Sequence, residues 1–196
     1  MINRTLTILV LTEKKRIHFL KRFIQFHKFH GFKILIVINK KIHNSENIHY
    51  KYFKNKSFHE KFLFGLGHVK SKYVCWIGDD DFVLKKGLIA SLKQIKKDKR
   101  VSIVRGRSYK FNEKKFKIDT NYDQNHKYFL NKKTNDIKYF LKNFSSPVHG
   151  VCKTSILKKA IEFSIKNKEY KPNIFSDKII GIFMASFGYI HYIKDN

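Results

Sequence analysis

Three consecutive aspartates, Asp79, Asp80 and Asp81, stand in "CWIGDDDFVLKKGL" (residues 75–88) of a chain with fifteen acidic residues against forty-two Lys and Arg. Neighbouring carboxylates repel one another, so a fold that keeps three together needs something to offset the repulsion. A divalent cation does so. Hard cations such as Mg²⁺ or Mn²⁺ take oxygen ligands, commonly one or two carboxylates completed by substrate phosphates. At a strand end alternate side chains fall on the same side, which would let Asp79 and Asp81 share an ion while Asp80 turns elsewhere, for instance to a ribose hydroxyl. A solvated acidic turn is the plain alternative.

The elements around the triplet say where it sits. "RTLTILVLT" (4–12) and "FKILIVIN" (32–39) read as short buried strands. Between them Ile17, Leu20, Phe23 and Ile24 have helical spacing, and Gly31 closes that helix. Strand, helix, strand at this spacing is a βαβ unit with a parallel pair. A short strand is expected around His49 to Phe53, and Phe58, Phe62, Leu66 and Val69 lie on one helical face. "KYVCWIG" (72–78) is a third strand, and the aspartates come at its carboxyl end. Leu88, Ile89, Leu92 and Ile95 then make another helical stripe before the strand "VSIVRGR" (101–107). Such alternation predicts an α/β sheet with helices on both faces, and in these sheets ligands bind beyond the carboxyl ends of the strands.

Residues 108–134 have no clear period and read as a loop region. Short helices are expected over Ile137–Phe144 and, after "SSPVHGVCKT", over Ile156–Ile161. A last helix opens at Ser176 and Asp177 and stops at Gly188, followed by the strand "YIHYI". Without repeats or a linker, one domain over 1–196 is expected, divisible at 107/108.

The formal net charge of +27 favours a polyanionic neighbour: nucleic acid, an acidic membrane face or phosphorylated ligands. Lysines are spread along the chain, and the joint abundance of Lys, Asn, Ile, Phe and Tyr matches an AT-rich coding bias, so much of the charge is background. The remainder suits contact with anionic lipid head groups. Cys75 and Cys152 have no metal-ligand spacing and read as reduced structural thiols. The apolar runs near Leu6–Leu11 and Ile179–Ile190 are too short for a signal-peptide core or a membrane span, so the expected location is cytoplasmic, peripheral at most on the inner face of the membrane.

The chain resembles the GT-A glycosyltransferases, among them the family 2-like bacterial proteins with a "GDDDF" box. "LTILVLTEKKRIHFLKRFIQF", "FKILIVIN" and "YVCWIGDDDFVLKKGLIASL" carry the likeness, and "SPVHGVCKTSILKKAI" and "FSDKIIGIFMASFGYIHYI" extend it more loosely. The fold so implied is Rossmann-like, with a mixed, mostly parallel sheet. The implied reaction moves a sugar from a nucleotide-diphosphate sugar to a hydroxyl of a glycan or lipid-linked acceptor, with Mn²⁺ or Mg²⁺ held by the aspartate box. Thr12 and Glu13 occupy the place that contacts the base or ribose, and Arg16 lies in the same loop. Asn39 stands where the family usually has Asp. The common family box is Asp-x-Asp-Asp; if Gly78 takes its first place, Asp80 and Asp81 become the functional pair. An inverting transfer needs a carboxylate base, and the family supplies it at the start of a late helix, which nominates Asp177 here. Ser-Asp is also what capping and the helix dipole favour at such a position. Glu162 and Glu169 are lesser candidates. His149 can approach the diphosphate or complete the metal shell, with a structural histidine as the plainer reading. Arg105 and Arg107 are candidate phosphate contacts, His27 and His30 form only a weak metal pair, and Trp76 reads as core.

Two other classes compete. Nucleic-acid polymerases place Gly-Asp-Asp in a hairpin turn, but a helical stripe follows here and the chain is short for a polymerase body. A non-enzymatic nucleic-acid binder accounts for the charge and has no use for an aspartate triplet. The reading adopted is a glycosyltransferase without a specific nucleic-acid partner, of the kind used in surface glycan assembly.

Overall fold

The computed structural model describes residues 5–54, 57–106, 109–112, 117–119, 149–166 and 176–193. Seven strands form the main sheet in the order β3-β2-β1-β4-β8-β5-β9. In chain order they are β1 (Leu6–Leu11), β2 (Lys33–Ile38), β3 (Ile48–Tyr52), β4 (Tyr73–Ile77), β5 (Val101–Arg105), β8 (Val151–Lys153) and β9 (Tyr189–Tyr192). Two three-residue strands, β6 (Lys110–Asn112) and β7 (Lys117–Asp119), pair antiparallel apart from it, within the stretch expected to be loop. Every pairing in the main sheet is parallel except those of β8, which is antiparallel to β4 and β5. This is the mixed, mostly parallel α/β sheet expected from the alternation of apolar runs and helical stripes.

The strands are apolar on both faces because helices cover both faces. Helices α1 (Ile17–His27) and α3 (Lys85–Lys97) lie on one side, where Leu20, Phe23, Leu88, Leu92 and Ile95 pack on Ile8, Val10, Ile36 and Ile77. On the other side α2 (Phe58–His68), α4 (Thr154–Lys166) and α5 (Ser176–Ser186) set Phe62, Leu66, Leu157, Ile161 and Met184 against Leu9, Val37, Val74 and Ile103. Helix α1 runs out through a 3-10 turn to Gly31, whose φ of 75° is the left-handed conformation glycine adopts without cost. Helix α2 begins at a capping box in which Ser57 and Glu60 bond reciprocally.

Cys75 and Cys152 are buried free thiols on neighbouring strands, but they belong to cores on opposite faces of the sheet. Burial pushes the Cys75 thiol up to about 12, so it stays protonated and unreactive. No helix among the described residues is long and apolar enough to cross a membrane.

Candidate functional site

Strand β1 leads through α1 to β2 on one side, whereas β4 pairs with β1 on the other. The order therefore reverses between β1 and β4, and such a switch point opens a crevice at the strands' carboxyl ends. Thr12 follows β1, Asn39 follows β2, and the aspartates follow β4, so all three loops meet at that edge.

Asp79 is only 3% exposed and its two oxygens are taken. The Thr12 hydroxyl donates to Oδ2, and Arg16 reaches both oxygens, with Nη2 2.6 Å and Nε 3.0 Å from Oδ1. The same guanidinium meets Asp80 Oδ2 at 2.8 Å and packs over the Phe19 ring at 4.7 Å. Its hydrogen bond to Asp79, chiefly, raises the Arg16 pKa above its ordinary value against the opposing effect of burial. Thr12 is buried and pinned through its N–H to the Val37 carbonyl. Asn39 Oδ1 accepts from the Lys14 N–H at 2.6 Å, tying the loop after β1 to the end of β2. Glu13 precedes the 3-10 turn Lys14–Arg16 and pairs with Lys15 at 3.0 Å. The structure thus gathers Thr12, Arg16 and Asp79 into one hydrogen-bonded group, with Asn39 tied to the same loop through Lys14.

Asp81 belongs to a second group. Its Oδ2 lies 2.9 Å from His149 Nε2, and because a carboxylate only accepts, that nitrogen carries the proton. The bond to His149 lowers the Asp81 pKa below the ordinary carboxylate value, with burial opposing and the Gly78 backbone adding a smaller lowering effect. His149 has a φ of 71°, a conformation uncommon for a side chain-bearing residue and often kept where geometry serves a site. Its N–H bonds the Trp76 carbonyl at 3.0 Å, so the histidine is fixed to the end of β4 itself. A Cβ on Gly78 would lie 2.5 Å from Asp81 Oδ2 and 3.0 Å from Asp80 Oδ1, so both carboxylates fold back over that glycine.

This arrangement separates the pair expected to share an ion. Alternation across a strand holds only while the chain is extended, and β4 ends at Ile77. Residues 79 and 80 are in a turn, which sends Asp79 inward to Arg16 and leaves Asp80 and Asp81 over Gly78. Among the described residues no three His, Cys, Asp or Glu side chains converge closely enough to hold an ion by themselves. Asp81 and His149 are two suitable donors, and the remaining ligands of such a cation commonly come from phosphate and water.

Asp177 is the second residue of α5, with its side chain outside the described set; Glu169 and Arg107 also lie outside the described residues. Arg105 is buried on β5, and Glu162 is on α4. Trp76 is partly buried against Phe62, with ring centroids 4.4 Å apart. His27 is no metal ligand, because both ring nitrogens are used: Nδ1–H donates to the Phe23 carbonyl at 2.9 Å, and Nε2 accepts the Val83 N–H at 3.2 Å. It instead ties the loop after the aspartates to α1.

Lys61 was not anticipated. It is 7% exposed and its Nζ donates to the Thr12 carbonyl at 2.9 Å. Burial lowers its pKa, while Glu13 and Asp79 act in the opposite direction. The available sequence signal was its position four residues before Gly65, on the row of α2 that approaches Leu9 and Val37 of the sheet.

Among curated proteins no sequence matches the chain significantly. Solved structures match its fold. Residues 1–349 of TarS from S. aureus superpose with a TM-score of 0.61 at 15% identity, covering 98% of this chain and 58% of that one. The same TarS fragment in complex with UDP-GlcNAc gives 0.61 at 16%, covering 98% and 56%. The bifunctional IspDF from Campylobacter jejuni gives 0.52 at 14%, covering 98% and 50%. The chain thus spans a little over half of the TarS fragment, and at these identities the likeness is one of fold. The sequence profile described as Glycosyl transferase family 2 matches residues 35–163, more than half of the chain, and includes most of β2, all of β4, the aspartates and His149. With a mostly parallel sheet whose switch point carries an acidic box, and with that profile across it, the chain belongs to glycosyl transferase family 2.

Proposed function

We propose that the chain transfers a glycosyl group from a nucleoside-diphosphate sugar to a hydroxyl acceptor, with inversion and with help from a divalent cation. The observation that carries this reading is the division of labour in the acidic box. Asp79 organises the crevice floor by holding Thr12 and Arg16, while Asp81 and His149 offer an oxygen and a nitrogen donor beside it. Thr12, Glu13, Arg16 and Asn39 then line the nucleoside end of the donor, and Asp80 lies between the two groups within reach of ribose or phosphate. Asn39 brings no charge, so base contacts there rest on hydrogen bonding alone.

Mn²⁺ or Mg²⁺ would be held by Asp81 and by His149 after its Nε2 loses the proton, completed by diphosphate oxygens. When bound it neutralises the charge that builds on the departing nucleoside diphosphate. The remaining chemistry belongs to the chain. Arg16 orients Asp79 and keeps its charge compensated, and Lys61 brings a second cation beneath the Thr12 carbonyl. Asp177 takes the acceptor hydroxyl's proton as that oxygen bonds to the anomeric carbon and the carbon–diphosphate bond breaks. Residues 1–107 form the donor half and 108–196 the acceptor half, with His149 contributed to the donor site from the second. The setting we assign is the cytoplasmic face of a membrane where surface glycans are built on lipid-linked acceptors.

The test is thermal shift with UDP, GDP and CDP, each with and without Mn²⁺, followed by nucleotide release from a panel of donors. UDP-GlcNAc comes first because residues 1–349 of TarS form a complex with it. Stabilisation by one diphosphate that grows with Mn²⁺ and vanishes in Asp81→Asn is the expected result. Absence of any nucleotide response, with RNA binding strengthened by Asp79→Asn, would favour the nucleic-acid reading.

A further inference from the structure

Helices α1 and α3, which cover one face of the sheet, present basic and apolar side chains and contain no acidic residue. Neither residues 14–45 nor residues 82–97 contain an Asp or Glu, and these segments supply α1 and α3, which together cover one face of the sheet. Lys21, Arg22 and Lys28 are exposed on the first and Lys85, Lys86 and Lys93 on the second. Where the two meet, large apolar side chains face solvent: Phe29 is 77% exposed, Leu84 68%, Phe82 53% and Phe26 39%. The Phe26 and Phe82 rings pack edge to face at 5.0 Å, and Phe29 follows Phe26 by three residues. Lys28 Nζ lies 4.6 Å over the Phe29 ring. The patch is held in place by the Val83 N–H bond to His27, and it begins one residue beyond Asp81.

We propose that this face, centred on Phe26, Phe29, Phe82 and Leu84, docks on an anionic lipid bilayer. Exposed Phe and Leu ringed by Lys and Arg combine apolar insertion with attraction to acidic head groups. A second copy of the chain is a poor occupant, because two-fold pairing would press two cationic faces together. Nucleic acid suits the lysines and could stack on the rings, but it leaves the aliphatic Leu84, 68% exposed, without an apolar partner, which an acyl layer supplies. The proposal rests on the transferase reading for its purpose: docking here brings the edge carrying Asp81 to head-group level, where a lipid-linked hydroxyl acceptor is found.

The experiment is co-sedimentation of the full chain with vesicles of phosphatidylcholine alone or mixed with phosphatidylglycerol, comparing wild type with the double variant Phe29→Ser/Leu84→Ser. Both residues are exposed and lie outside the donor site, so the fold, followed by circular dichroism, and any nucleotide-dependent thermal shift should be unchanged. Wild type should bind only the anionic vesicles, with the double variant at least roughly tenfold weaker. Equal binding of the two proteins overturns the proposal, as does patch-dependent loss of binding to single-stranded RNA, or of self-association, in place of lipid. The failures are separable. Donor binding without patch-dependent vesicle binding removes the docking face and leaves the transferase reading. Patch-dependent vesicle binding without donor binding keeps the face and removes that reading.

Discussion

Acidification should destabilise this protein through His27. The side chain is fully buried, stacked on Phe23 with ring centroids 4.0 Å apart, and its Nε2 must stay unprotonated to accept the Val83 N–H. Burial pushes its pKa down to about 4 from an ordinary 6.5, against the opposing effect of the Phe23 carbonyl. Between those values the unfolded chain binds a proton that the folded chain refuses, so stability falls as pH drops from 6.5 toward 4 and is unaffected by this group above that window. A shift of that size corresponds to about 3 kcal/mol in total, of which about 2 is lost by pH 5. His30, His49, His59 and His191 are also shifted down, chiefly by burial, and act in the same direction. The diagnostic comparison is therefore with His27→Gln, whose amide oxygen can accept the Val83 N–H but does not titrate. Urea unfolding followed by fluorescence of Trp76, the only tryptophan, should show the variant less stable at pH 7.5, with the gap closing by about 2 kcal/mol at pH 5. If the two proteins lose stability in parallel, His27 is not the group refusing the proton.

Removing Arg16 leaves Asp79 buried with only the Thr12 hydroxyl. Arg16→Met should cost about 3 kcal/mol or more, and adding Asp79→Asn should restore part of it in a double-mutant cycle of urea midpoints. His149→Gly frees the backbone at a positive φ and should be about 1 kcal/mol more stable than His149→Ala; both should abolish any Mn²⁺-dependent gain in nucleotide affinity measured by calorimetry. At Gly188 a Cβ would overlap the Arg100 carbonyl, so Gly188→Ala should lower stability by about 2 kcal/mol through the β5–β9 pairing. Gly67, inside α2 with open space around it, is the control: Gly67→Ala should be neutral or raise stability by up to about 1 kcal/mol.

Much of the fold was legible because its strands are buried on both faces and flanked by clear helical stripes. The apolar runs "LTILVL" and "KILIVI" have no amphipathic ambiguity, and Gly31 marked a true left-handed stop. Strand β8 was not legible. Three residues, Val151 to Lys153, have no period of their own and are a strand only because β4 and β5 bond to them from either side. The same holds for the small β6–β7 pair, whose existence depends on partner geometry rather than on composition. The helix expected over Ile137–Phe144 lies outside the described residues.

The position of the aspartate triplet at a strand end was legible but its wiring was not, and the difference has one cause. Adjacency of charges in sequence announces that carboxylates must be compensated, but not by what, because compensation is a matter of three dimensions. Asp79 is answered by a guanidinium sixty-three residues earlier and Asp81 by an imidazole sixty-eight residues later. Both partners arrive through topology: Arg16 because β1 lies beside β4, His149 because the antiparallel β8 lies on the other flank. The triplet therefore sits between two strands that bring opposite chemistry. A guanidinium occupies both oxygens of the first aspartate, while an imidazole meets one oxygen of the third. That asymmetry makes Asp79→Asn and Asp81→Asn different experiments: the first should lower stability with or without nucleotide, whereas the second should leave the apo protein nearly as stable and act on metal-dependent binding.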